Sequence, residues 1–192
     1  MSLDDQHRWD RAHTSSRDDE RPSAFLEEVF RQFGGFLPRG RALDIACGKG
    51  RNALFLARRG FDVTAIDISP VALKIAQSRA VERGLSVSWQ QHDLEEIRLG
   101  EDCYDMVVNL NYLQRFLFPQ IAASLRSGGV VIFETYLIGQ EAIGHPKNPA
   151  YLLRYNELLN AFRDLRVLWY REGKFREGSE SALRAGLLAQ KS

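Results

Sequence analysis

The chain has 192 residues, 44% hydrophobic and 27% charged, a balance that marks a globular protein and excludes a disordered one. That length builds one core of good size and is too short for two ordinary domains. With 26 basic and 25 acidic side chains the formal net charge is +1, so nothing calls for nucleic acid or another polyanion as partner.

Residues 1–21 are polar and rich in Arg and Asp, with Trp9 and His13 as their distinctive side chains. They read as a flexible arm or lid ahead of a single domain over residues 22–192. They contain no apolar segment of the export-signal kind, and no run anywhere approaches the ~20 apolar residues of a membrane span, so a cytoplasmic protein is expected. Cys47 and Cys103 are too few to form a disulfide framework.

Ser23 stands as N-cap for a helix from Ala24 to Phe33, whose apolar positions 25, 26, 29, 30 and 33 share a face, and Gly34-Gly35 ends it. A short apolar strand, Ala42 to Ala46, carries one acid, Asp44, and breaks into a turn containing Gly48 and Gly50. A helix follows from Asn52 to Arg59, then a second strand, Phe61 to Asp67, that also ends in a carboxylate. Ser69-Pro70 caps and opens a helix over Val71 to Arg83. Leu85 to Gln90 alternates as a third strand, and His92 to Asp102 is a loop or short helix. Tyr104 to Leu110, nearly all apolar, is a fourth strand buried on both faces. Residues 112–125 are helical with a break near Pro119, and Ser127-Gly128-Gly129 turns into a fifth strand, Val130 to Tyr136. Gly139 to Ala150 is a loop too long for a plain connector. Tyr155 to Phe162 is a short helix. Leu165 to Tyr170 and Leu183 to Ala189 form a closing hairpin, joined by a polar turn from Arg171 to Ser181. Strands alternating with helices and then a hairpin specify a mostly parallel sheet with one antiparallel strand.

The strand, glycine turn and helix over residues 41–59 form the first unit of a nucleotide-binding α/β sheet. Asp67, ending the second strand, stands where one carboxylate accepts both protons of a ribose diol. Gly48-Lys49-Gly50-Arg51-Asn52-Ala53 fits the loose dinucleotide pattern G-x-G-x-x-A, which makes an NAD-dependent oxidoreductase one alternative. Asp44 argues against it. Its carboxylate would face the pyrophosphate with like charge, whereas S-adenosylmethionine offers a sulfonium and an amino group, both positive.

Asp44-Ile45-Ala46-Cys47-Gly48-Lys49-Gly50-Arg51, Asp67-Ile68-Ser69-Pro70, His92-Asp93-Leu94 and Tyr104-Asp105-Met106-Val107-Val108 together resemble a class I S-adenosylmethionine-dependent methyltransferase. Within that superfamily the chain is most similar to the small tellurite-resistance-type branch, and residues 148–153 and 157–159 resemble it too. The resemblance implies an α/β, Rossmann-like, doubly wound sheet of seven strands in the order 3-2-1-4-5-7-6, with strand seven antiparallel. It implies S-adenosyl-L-methionine as methyl donor, S-adenosyl-L-homocysteine as product, and an arm folded over the cofactor. Asp44, Ala46, Cys47, Gly48, Gly50, Arg51, Asp67, Ile68, Asp93, Leu94 and Asn109 are the cofactor-binding residues on this reading. Ile68 lies under the adenine, Asp93 accepts from its amine and Leu94 offers its backbone N–H. Arg51 either pairs with the methionine carboxylate or faces solvent, and Cys47 supplies small size where bulk would block the cofactor.

Asn109 and Tyr112 match the ends of the (Asn/Asp/Ser)-Pro-Pro-aromatic motif of base-methylating enzymes, but both prolines are missing, which argues against base methylation. Tyr112, Arg115, Tyr136 and His145 are candidates for the wall of a substrate pocket. In-line methyl transfer needs alignment more than a catalytic triad. A thiolate or metalloid oxyanion needs no base; a hydroxyl or ammonium acceptor does, and His145 is the candidate. Four scattered His (7, 13, 92, 145) and two distant Cys offer no metal-ligand spacing. The expected function is methyl transfer to a small-molecule acceptor. A non-catalytic S-adenosylmethionine-binding regulator is the other alternative.

Overall fold

The computed structural model describes residues 7, 9–11, 20–177 and 180–192. Helix α1 (Ala24–Phe33) precedes strand β1 (Arg41–Ile45), followed by α2 (Arg51–Arg58), β2 (Asp62–Asp67), α3 (Pro70–Glu82), β3 (Ser88–Gln91) and β4 (Tyr104–Leu110). Then come α4 (Leu117–Ser124), β5 (Leu125–Tyr136), α5 (Gln140–Ile143), α6 (Glu157–Ala161), β6 (Arg166–Glu177) and β7 (Glu180–Gln190). All seven strands join one sheet in the order β3-β2-β1-β4-β5-β7-β6. Neighbours from β3 to β5 are parallel, and β7 runs antiparallel to both β5 and β6.

Alternation along the strands divides the core between the two faces of the sheet. Leu43, Ile45, Val107, Val131 and Phe133 pack with Leu117, Ile121 and Phe162 on one side. Ala42, Ala65, Met106, Val108 and Ile132 pack with Phe25, Val29, Ala53 and Leu73 on the other. Ser69 caps α3 as its sequence predicts, its hydroxyl accepting the Ala72 N–H at 3.1 Å with Pro70 in the first turn. Ser23 sits at the N-cap of α1 without a side-chain cap; its backbone N–H instead donates to Asn52 Oδ1 at 2.9 Å and ties α1 to α2.

Four expectations need correction. Ser127-Gly128-Gly129 is not a turn ahead of the fifth strand, because β5 already begins at Leu125 and runs through it. Pro119 does not break a helix, because α4 begins at Leu117 and the proline falls in its first turn, where no intrahelical N–H is needed. Residues 171–181 are not a turn: β6 runs to Glu177 and β7 starts at Glu180, with pairs such as Lys174↔Leu183 and Arg176↔Ser181. A hairpin on the edge of a sheet has water on one side and so carries polar residues along its length. The long loop after β5 contains helix α5 and a short 3-10 turn, Pro149–Tyr151.

Phe25, fully buried, reaches the sheet because β7 has no side chain at Gly186: a Cβ there would lie 2.6 Å and 2.7 Å from two atoms of its ring. Gly186→Val is expected to lower stability by about 1–3 kcal/mol through overpacking, read as a lower urea midpoint. An unchanged midpoint would mean α1 can shift freely on the sheet.

Candidate active site

The ends of β1, β2 and β4 carry the acids and the turn in register. Ile45 pairs with Ile66 on one side and Asn109 on the other. The chain then turns through Ala46 (φ 55°) and Gly48 (φ 53°), and Gly50 (φ 80°) leads into α2. These are left-handed backbone positions, which glycine enters at least cost. Gly50 has a second reason to be glycine, since a Cβ there would lie 2.6 Å from Trp89 and 2.8 Å from Ala76. Asp67 holds the turn in place. Its Oδ2 accepts the Gly48 N–H at 2.7 Å and its Oδ1 accepts the Ser69 N–H at 2.9 Å. A carboxylate oxygen carries two lone-pair sites, so these bonds orient the group without using up its accepting capacity.

Asp44 is 1% exposed, and among the described residues neither of its oxygens has a hydrogen-bond partner. Burial pushes its carboxyl from 3.8 up to about 7, with the Asp67 charge adding to the rise, while the Ala53 backbone and Arg51 favour the ionised form. An orphaned buried acid is costly unless a donor or cation arrives. Cys47 is 5% exposed, and burial together with Asp44 and Asp67 holds its thiol well above the ordinary value, which keeps it from serving as a thiolate nucleophile. Leu94 and Ile68 are buried, and Asp93 caps its own turn by accepting the Glu95 N–H at 2.8 Å. Asn109, also buried, donates from Nδ2 to the Tyr112 carbonyl at 2.7 Å and shapes the turn after β4.

A cavity of about 660 Å³ opens at the ends of β4 and β5, lined by Tyr112, Tyr136 and His145 among others. Trp9, Glu95, Asn111, Thr135, Lys147 and Tyr151 also line it, brought together from separate stretches of chain. Burial comes first, and Glu95, Asp93 and Asp67 add to it, in raising the Tyr112 phenol, so it stays protonated at neutral pH. Arg115 is a correction: it is not among the lining residues. Its guanidinium grips both oxygens of Glu157, at 2.6 and 3.0 Å, and donates to the Ala150 and Leu152 carbonyls at 3.0 and 2.9 Å. It therefore anchors the segment behind the cavity. Partial burial works to raise Glu157, but the bonds from Arg115 and the Arg154 N–H outweigh it and hold that carboxyl low.

Residues 9–11 are helical; Trp9 lines the cavity and Asp10 accepts from the Ser69 hydroxyl. Glu20 pairs with Arg79 at 3.6 Å and with Arg83. The rest of the expected arm, residues 1–6, 8 and 12–19, lies outside the described residues. Among the described residues no group of three or more His, Cys, Asp or Glu could hold a metal ion, and no helix is long and apolar enough to cross a membrane.

Sheet order, antiparallel β7 and the glycine turn beside two acids define the class I S-adenosylmethionine-dependent methyltransferase fold. Residues 42–129 match the family described as methyltransferase domain. A ubiquinone biosynthesis O-methyltransferase of Alkalilimnicola ehrlichii is 37% identical over 116 residues, covering 57% of this chain and 47% of that protein. The chain spans about half the length of the curated relatives it matches. TehB from Haemophilus influenzae superposes with a TM-score of 0.75 at 18% identity, over 97% of this chain and 67% of that one. An S-adenosylmethionine-dependent methyltransferase from Clostridium acetobutylicum gives 0.68 at 16% identity, over 97% of each. At such identities the likeness is one of fold.

Proposed function

We propose that this protein transfers the methyl group of S-adenosylmethionine to a small organic acceptor held in the cavity at the ends of β4 and β5. The orphaned Asp44 carries the reading. A buried acid without a hydrogen-bond partner among the described residues fits a ligand that brings its own positive charge, and opposes a pyrophosphate. Asp67 would take the ribose hydroxyls, and the turn from Ala46 to Gly50, with Arg51 after it, would hold the amino-acid end. Ile68, Asp93 and Leu94 would take the adenine, with Asn109 shaping the floor. When bound, the donor supplies an electrophilic methyl on a sulfonium. The protein's own part is to align the acceptor, and alignment supplies on the order of 7–11 kcal/mol in favourable cases.

A volume of about 660 Å³ suits an organic ligand and is generous for a bare metalloid oxyanion. Thiols and phenols therefore stand ahead of tellurite as acceptors, and the O-methyltransferase relatives favour a phenol. His145, exposed and on the cavity wall, is the base a phenol would use. The test has two stages. Titration calorimetry should find binding of S-adenosylmethionine and S-adenosylhomocysteine and none of NADH. A panel of thiols, phenols, amines, tellurite and selenite, followed by S-adenosylhomocysteine release, should then find turnover. Cofactor binding without turnover on any acceptor would favour a regulatory protein instead.

A further inference from the structure

We infer that Asn111 is a specificity residue that reads an oxygen on the methyl acceptor, one that accepts hydrogen bonds without donating, of which a carboxylate is the strongest case. The inference rests on the methyltransferase reading of the same site and adds the chemistry of the acceptor. Asn111 follows β4 directly and lies on the cavity wall with Tyr136 and Thr135. Its φ of 61° is left-handed, a conformation that asparagine tolerates better than most residues. Its backbone N–H donates to the Glu134 carbonyl at 2.8 Å, so the residue is fixed in place.

The side-chain amide is oriented by chemistry as well as by distance. Asn111 Oδ1 accepts from Arg184 Nη1 at 2.7 Å. Arginine has donors and no acceptor, so the oxygen of the amide must face it and the NH₂ must face away. Arg184 cannot easily swing aside: it is 6% exposed, lies 4.0 Å above the Tyr136 ring and sits 4.0 Å from the Glu134 carboxylate. Glu134 is in turn held by Arg171 at 2.7 Å. Among the described residues nothing accepts from Asn111 Nδ2. The cavity therefore contains a rigid two-hydrogen donor awaiting an oxygen. Its charged neighbours on the wall, Lys147 and Glu95, are opposite in sign, which leaves this directional donor to discriminate.

The test uses two ligands matched in ring and phenol and opposite in their second group, 4-hydroxybenzoate and tyramine, titrated into protein saturated with S-adenosylhomocysteine. 4-Hydroxybenzoate should bind roughly tenfold tighter or more. Asn111→Asp keeps the left-handed backbone and the partner for Arg184 but replaces the NH₂ with an oxygen. It should lose roughly tenfold or more for 4-hydroxybenzoate, leave tyramine equal or better, and keep S-adenosylhomocysteine affinity within about twofold. Asn111→Gly, which suits the backbone and has no amide, should lose the preference without reversing it. Equal binding of the two ligands, binding of neither, or an Asn111→Asp protein with unchanged preference would overturn this inference alone. Failure of S-adenosylhomocysteine to bind the unaltered protein would overturn the cofactor reading and this inference with it.

Discussion

Asp44→Asn should make the ligand-free protein more stable at pH 8 while making it a poorer binder of S-adenosylmethionine. The Asp44 carboxyl is pushed to about 7 in the fold against 3.8 for the free group. Below about pH 4 the acid is protonated whether folded or unfolded, and it costs nothing. Between pH 4 and 7 the unfolded chain ionises first, so stability falls as pH rises, and above pH 7 the full cost of about 4 kcal/mol is in place. Asparagine has no charge to desolvate, though its own orphaned amide recovers part of that cost. The net gain at pH 8 should be about 1–3 kcal/mol, or several degrees in melting temperature, shrinking toward pH 4. Melting curves of the two proteins across that range check it. Curves with the same pH dependence would mean that Asp44 finds a partner the fold does not show.

Asp67→Ala should act in the opposite direction on stability and strongly on binding. The carboxylate ties the glycine turn to the start of α3 through the Gly48 and Ser69 N–H groups. Removing it unpairs two backbone donors and frees the turn, at about 1–3 kcal/mol in folding stability. If Asp67 takes the ribose hydroxyls as proposed, that contact goes too, and S-adenosylmethionine and S-adenosylhomocysteine should both weaken roughly ten- to hundredfold. Calorimetry and melting curves on one preparation separate the two losses. Normal affinity for both ligands would make Asp67 a purely structural acid and the nucleoside pose wrong.

The contrast between these two acids was half legible in the amino-acid order. Short-range patterns marked the strand ends, the glycine turn and the Ser69 cap, because each is decided within a few residues. The bounds of β4 are those its apolar run predicts. The extension of β6 and β7 over residues 171–181 is not legible, since polar residues on an edge hairpin leave no core pattern. Arg115 and Asn111 show the other limit. One is held by Glu157 and the other by Arg184, 42 and 73 residues away, and no local pattern announces such partners. The isolation of Asp44 is likewise invisible: charge logic predicts a cationic ligand, but only packing reveals that among the described residues neither of its oxygens is within hydrogen-bond geometry of a donor.

Proton counting on ligand binding tests the central claim most directly. If the ligand's ammonium pairs with Asp44, an acid with a pKa near 7 must ionise as the complex forms. Titration of S-adenosylhomocysteine at pH 7, in buffers of different ionisation enthalpy, should show release of about half a proton from the unaltered protein and none from Asp44→Asn. Equal proton release from both proteins, or none from either, would contradict the account.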